Sequence, residues 1–491
     1  MLLDSPITHN TASKSVDHKI PLPSKLLSPV LWFFFFCTLG MLIYQQVEKT
    51  TWNFNGIFHI NRFTLLIWVT VTFFSAIVSS YAKDYLKGFK YHQKFTILSL
   101  SFTLSVMIFV MSNHIFPFLI SWLLMGVTMA RLIGVNSDWI EAKESSKLAQ
   151  KYFTTGSILL SIGVVILSLY NNTFTISEIL LNLDSTPDFI LFIATIFIIT
   201  AAIIQSAMFP FHRWLLSAMT APTPASALMH AGFVNGAGIL LAILAPVIIT
   251  SNMLTLIFII GGLTAIIAQF TKLLQVNVKQ KLACSTIAQM GFMIMQCGLG
   301  FFNAAVTHLI LHGFYKAYLF LSSGEEIAYT SPKKPSEIKI KPFQALVVLI
   351  FGVAGAILFS LLTGKTAVND SSIFLTLIVA ITVGQVTYNI IKEKSLSKLQ
   401  KIIAPIVLFI AGIGTYALIY NGVTIFMSDM PMAAVPQPLS VLQIVFGSVF
   451  LLGFFIMKLG VYKKIPWLYV KLLNLSQPNK RTILSPKVLN K

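Results

Sequence analysis

Three titratable side chains recur at a spacing that only a helix makes meaningful. In the stretch Thr307-His308-Leu309-Ile310-Leu311-His312-Gly313-Phe314-Tyr315-Lys316, the residues His308, His312 and Lys316 stand at i, i+4 and i+8. A helix places them on one face about 12 Å long, at ~1.5 Å per residue. Such a string suits the relay of a proton or another small cation. An imidazole can take a proton on one ring nitrogen while releasing one from the other, and a buried amine can switch charge as a proton passes. The plainer reading of the trio is a set of core polar groups satisfied by their neighbours. A second candidate region runs from Phe209-Pro210-Phe211-His212 through Ala221-Pro222-Thr223-Pro224 to His230. Its prolines break the backbone twice and leave a short amphipathic piece between two helices. Breaks of this kind free carbonyls and amides, which survive at membrane depth only beside protein or water and serve in ion paths. His230 falls one to two turns into the next helix. It either joins the same path or is a core histidine bonded to a neighbour.

The elements that must hold these groups are membrane helices. Of 491 residues 56% are hydrophobic and only 10% charged, with a mean hydropathy of +0.81, more apolar surface than a soluble protein of this length could cover. About fourteen spans are expected, at 26–47, 62–82, 95–112, 114–135, 152–170, 187–209, 223–249, 253–271, 282–301, 303–323, 342–363, 372–391, 402–420 and 438–459. Of the 35 Lys and Arg, with Arg62 and Lys458 counted in the loops they border, only Lys49, Arg62 and Lys365 then fall on one side and only Arg131 and Lys316 within spans. The others all lie on the opposite side, which the positive-inside rule makes cytoplasmic, together with both termini. The net charge of +19 thus reports orientation in a bacterial inner membrane and excludes a nucleic-acid partner. Residues 1–25 form a polar cytoplasmic segment without a cleavage site, so the first helix is retained. Residues 26–460 are the transmembrane bundle, and 461–491 a basic tail whose Trp467 and Tyr469 among lysines suit a membrane-surface anchor. Cys37, Cys284 and Cys297 lack metal-ligand spacing and are expected to be inert packing residues.

At these segments the sequence resembles the antiporter-like membrane subunits shared by respiratory complex I and multisubunit cation/proton antiporters. The resemblance is carried by Phe209-Pro210-Phe211-His212, by Ala221-Pro222-Thr223-Pro224 and by Ser226-Ala227-Leu228-Met229-His230-Ala231. It continues in Val278-Lys279, Leu282-Ala283, Ser285-Thr286-Ile287 and Gln289-Met290-Gly291, and in the spacing of His308, His312 and Lys316. It covers about residues 115 to 365 and implies an all-α bundle with two inverted five-helix repeats, each with a discontinuous helix. Two departures stand out. Where the family has a Trp-Glu pair this chain reads Trp122-Leu123, and where it has the facing lysine this chain has Gln205. Lys365 is spaced like the lysine that ends the family's second broken helix. Gly364 precedes it where serine is usual, and Ile357-Leu358 replaces a Pro-Pro; an external loop lysine is the alternative. The ion path implied is His308, His312, Lys316, His230, Lys365 and Gln205, completed by water.

The string Met229-His230-Ala231-Gly232-Phe233-Val234-Asn235-Gly236-Ala237-Gly238 and the chain's length look like the DabB type, the membrane subunit of inorganic-carbon accumulation complexes. That resemblance implies a large cytoplasmic zinc partner of the DabA type, related to β-carbonic anhydrases, and a cation gradient of H+ or Na+ coupled to conversion of CO2 into bicarbonate. The carbon chemistry and the zinc then belong to the partner; no cofactor and no catalytic residue are expected here, since the chain lacks a zinc-ligand set of Cys, His and Asp. The alternatives are a subunit of a quinone-reducing complex, a cation/proton antiporter, or a scaffold that anchors its partner.

Overall fold

The computed structural model describes residues 20–323, 342–365, 370–379, 383, 387, 397–459 and 461–483. Its helices follow the apolar runs. Helix α1 is Leu22–Glu48, α2 Arg62–Tyr85, α3 His92–Met111, α4 Ile115–Ile133 and α5 Ile140–Tyr170. A short α6, Ile176–Leu181, precedes α7, Asp188–Gln205. Among the described residues nine helices are long and apolar enough to cross a membrane, against the fourteen expected. Two of the other expected spans carry polar groups, and a third lies mostly outside the described residues. Helices α13 (Val278–Gly298) and α14 (Phe302–Ser322) have the length but carry Lys279, Gln280 and Lys281 in one case and His308, His312 and Lys316 in the other. Most of the span expected at 372–391 lies outside the described residues. α5 also starts well before residue 152, because Ser145 and Ser146 in its first turns find partners in the Ser217 and Ala130 carbonyls.

The all-helical expectation misses one small feature. Trp52–Phe54 and Phe58–Ile60 pair as an antiparallel hairpin, turned by Asn55 and Gly56 at φ 52 and 72, the left-handed region that such turns require. The Ile57 carbonyl accepts the amides of Asn113 and His114, and the Phe174 carbonyl that of Ile115. The hairpin therefore gathers the loops of one end of the bundle. At the other end Ser24 meets Thr96, Lys94 meets Ser137, Ser145 meets Ser217, and Ser217 meets Asn479 and Thr482. The start of α1 and the residue 466–483 tail thus lie at this same end, where the basic loops also gather.

The expected helix over 223–249 comes in three pieces: α9 (Thr223–Ala231), α10 (Gly236–Ile243) and α11 (Ala245–Thr250), with a 3-10 turn at Phe233–Asn235 between the first two. At the interruption Asn235 Nδ2 donates to the Ala231 carbonyl at 2.8 Å and to the Leu309 carbonyl of α14 at 3.2 Å, while its Oδ1 is buried without a partner among the described residues. Upstream, α7 stops at Ser206 and a short α8 (Arg213–Ser217) precedes Pro222, as the two-proline pattern predicts. Helix α12 (Leu254–Lys272) and α13 touch backbone to backbone. A Cβ on Gly261 would stand 2.5 Å from the Met295 amide nitrogen and 2.6 Å from the Gly291 oxygen, the small-residue seam by which membrane helices associate.

Candidate functional site

The cationic line rides on α14, which lies against α9, α13, α2 and the helix Lys398–Phe426. Its Lys316 is fully buried, His312 is 5% exposed and His308 half-buried. The His308 and His312 rings are near-parallel, with centres 6.1 Å apart. Both nitrogens of His312 and Nε2 of His308 are buried without a hydrogen-bond partner among the described residues. Unmet polar atoms on two consecutive turns are what a relay needs and what a structural histidine ordinarily avoids. His308 faces a cavity of about 550 Å³ that it shares with Gln289, Gln296 and Tyr416, the remainder of the wall being mostly apolar side chains of α12, α13, the segment 375–387 and the helix Lys398–Phe426.

Toward the basic end, Lys316 Nζ donates to the Leu282 carbonyl of α13 at 3.2 Å. The same carbonyl accepts the Thr286 hydroxyl at 3.1 Å, and Thr286 Oγ1 lies 3.0 Å from His230 Nδ1. With its hydrogen committed to Leu282, Thr286 accepts from His230, so the His230 proton sits on Nδ1 and Nε2 is left an acceptor. That Nε2 is buried and unpartnered among the described residues, and the ring stacks on Phe320 at 4.2 Å. The structure thereby joins His230 to Lys316 through one shared carbonyl. Thr286, quoted in the sequence only as part of a resemblance, is the hinge of this contact. Lys279 lies just outside, donating to the Ala221 carbonyl at the Pro222 break at 2.9 Å.

Gln205 is set apart from the trio. It is 3% exposed and ends α7, where its Nε2 reaches the Phe233 carbonyl at 3.5 Å, while Ser206 Oγ donates to the Val234 carbonyl at 2.5 Å. Both side chains cap the α9–α10 break. Leu123 is 37% exposed, on the outer side of α4, so no charged pair faces this break.

Lys365 lies at the opposite end of the line, just past α15 (Pro342–Thr363). α15 runs unbroken across Ile357-Leu358, so the second discontinuous helix that the resemblance implies is not found there; the Pro-Pro that would break it is absent. α15 ends at Gly364, φ 68, with the Lys365 amide returning to the Ser360 carbonyl at 3.0 Å, a glycine-terminated cap that fixes where Lys365 begins. Its Nζ stands 3.6 Å from the Phe301 ring centre and 4.8 Å from that of Tyr420.

Residues 112–341 match the family model described as NADH:quinone oxidoreductase/Mrp antiporter, TM. The matched stretch begins where the resemblance in the sequence begins, near residue 115, and ends before residue 365. The chain is 32% identical over 312 residues to a probable inorganic carbon transporter subunit DabB of Bacillus anthracis, covering 63% of this chain and 61% of that protein. It is 31% identical over 281 residues to the same-named subunit of Hydrogenovibrio crunogenus, covering 56% and 54%. It is also 29% identical over 337 residues to NADH-quinone oxidoreductase subunit L of Rickettsia typhi, covering 65% and 51%. The matches thus span only about half to three fifths of these relatives. In fold the chain is similar to a chain of the Mrp complex from Dietzia sp. DQ12-45-1b, with TM-score 0.55, 17% identity and coverage of 95% of this chain and 52% of that one. It is likewise similar to a chain of the archaeal membrane-bound sulfane sulfur reductase, with TM-score 0.56, 17% identity and coverage of 92% and 91%. The fold is that of a polytopic helical bundle.

Proposed function

We propose that this chain is the cation-conducting membrane subunit of an inorganic-carbon accumulation complex, moving H+ or Na+ through a multi-pass bundle in a bacterial inner membrane. Its partner in this reading is a large cytoplasmic zinc subunit of the DabA type, docked at the basic end, which carries out the CO2 chemistry. The observation that carries the reading is the buried face of α14, where Lys316, His312 and His308 run one turn apart with unmet ring nitrogens. The DabB-named relatives supply the carbon substrate, and the basic end supplies the docking side. His230 extends the line beside Lys316, and Lys365 continues it toward the hairpin end; Gln205 belongs to its edge. A role in a quinone-reducing complex is the second reading, favoured by the match to subunit L.

The test is Lys316→Met, which keeps bulk and removes charge. Inorganic-carbon uptake should be abolished while the complex still assembles, since a merely packed lysine tolerates methionine. Normal uptake by both Lys316→Met and His312→Ala proteins would remove the support for this path. A neighbouring reading frame encoding small respiratory subunits in place of a large zinc protein would favour the second reading.

A further inference from the structure

A half-buried ammonium such as that of Lys365 needs something to replace the water it has lost, and the usual partner is a carboxylate. Among the described residues none stands at ion-pair distance from Lys365; Asp370 acts on it only from farther away. What surrounds its Nζ is two ring faces, Phe301 at 3.6 Å and Tyr420 at 4.8 Å. Aromatic faces attract a cation most strongly where water is excluded, and both rings are buried, at 2% and 5% exposure.

The rings are also held in place. Asn303 Nδ2 donates to the Tyr420 hydroxyl and to Thr424 Oγ1, each at 2.9 Å, while Asn303 Oδ1 accepts the Ala304 amide. Phe301 is pinned by its amide to the Gln296 carbonyl at 3.0 Å and by its bridge to Ala434. The two rings therefore come from the residue that precedes α14 and from the helix Lys398–Phe426. Tyr416, one turn from Tyr420 with near-parallel rings, continues toward the cavity that His308 lines.

We infer that Phe301 and Tyr420 form an aromatic cage that holds the Lys365 ammonium in place of a counter-ion, and that Tyr420 is a positioning residue for the outer end of the cation path. The inference rests on the reading of α14 as a conducting line. A cage of faces lets the ammonium lose its proton without stranding a carboxylate beside it, and it demands the ring, not the hydroxyl. A packing or hydrogen-bonding role for Tyr420 has no such preference.

The experiment measures inorganic-carbon uptake in cells producing the full chain with its partner, and the membrane level of each variant. Tyr420→Leu and Phe301→Leu should each lower uptake at least about tenfold at normal membrane levels, whereas Tyr420→Phe, which keeps the face, should stay within about twofold. Equal loss in Tyr420→Phe and Tyr420→Leu would overturn the cage, because the hydroxyl would then be the active part. Normal uptake in both leucine variants beside a dead Lys316→Met would overturn it too, leaving the α14 path intact. Should Tyr420→Leu fail to reach the membrane, Phe301→Leu against Tyr420→Phe decides on the same criteria. Full uptake by Lys316→Met and His312→Ala would instead sink the path on which the cage depends.

Discussion

Around the break at Phe233–Asn235 the buried polar groups are amides and hydroxyls: Gln205 and Ser206 on the freed carbonyls, Asn235 bridging to Leu309. On α14, past Asn303 and Thr307, they are a half-buried and a buried imidazole and a buried amine. The two regions touch, yet they handle polarity in opposite ways. Around the break each exposed carbonyl receives a fixed donor, which rigidifies. Along α14 both nitrogens of His312 and Nε2 of His308 have no partner among the described residues, which leaves them open to water or a passing cation. A broken helix, then, does not by itself make an ion path; mobile charge on the neighbouring helix is needed as well.

The largest expected effect lies on the charged side. His312→Ala should lower carbon uptake by at least about tenfold, in line with the loss of a proton-transfer group, with unchanged membrane levels. Comparable uptake by this variant and the unmodified chain would erase the contrast. Next comes charging the neutral side. Gln205→Lys places an ammonium against the Phe233 carbonyl without a carboxylate, at a cost of several kcal/mol, to be read as reduced yield and a lower melting temperature. Adding Leu123→Glu should not rescue it, because position 123 lies on the outer side of α4; full rescue would show that the halves differ only in side-chain identity.

A smaller effect is expected from Gln205→Leu, which removes a donor at the edge of hydrogen-bond distance. It should cost roughly 1 kcal/mol of stability and leave uptake within about threefold. A loss matching that of His312→Ala would move Gln205 into the conducting line. The smallest effect concerns the tail. His212 Nε2 meets the Leu475 carbonyl at 2.8 Å, and burial lowers its pKa from the ordinary 6.5 to about 4. The docked form favours neutral imidazole, so the stability it lends is whole above the ordinary value and declines as pH falls from about 6.5 toward 4. Protease protection of residues 466–483 should weaken over that interval, and His212→Gln should flatten the dependence. Protection that stays constant across it would show that His212 does not govern docking.

Much of this was legible in the sequence where the deciding contacts are local. The i, i+4, i+8 pattern needs only the helical repeat, and the two-proline pattern around Pro210 and Pro222 foretells α8. The break after Ala231 was not legible as such, because Asn235 acts through the carbonyl of Leu309, which lies far along the chain. The surroundings of Lys365 were hidden for the same reason: Phe301, Lys365 and Tyr420 come from three distant segments, and two phenyl-type rings among so many aromatics carry no spacing signal. Cys37, expected to pack internally, is exposed on α1, since apolar composition alone does not say which face of a membrane helix meets lipid.

The tail's grip on the break has a consequence in time. His212 and Leu475 are 263 residues apart, as are, within a few residues, Ser217 and its partners Asn479 and Thr482. At ribosomal rates of roughly 5–20 residues per second, that separation corresponds to about 13–50 s of synthesis. For that interval the newly inserted α8 must wait with its imidazole and hydroxyl facing headgroup and water, closed off only when the last-made helix folds back over it.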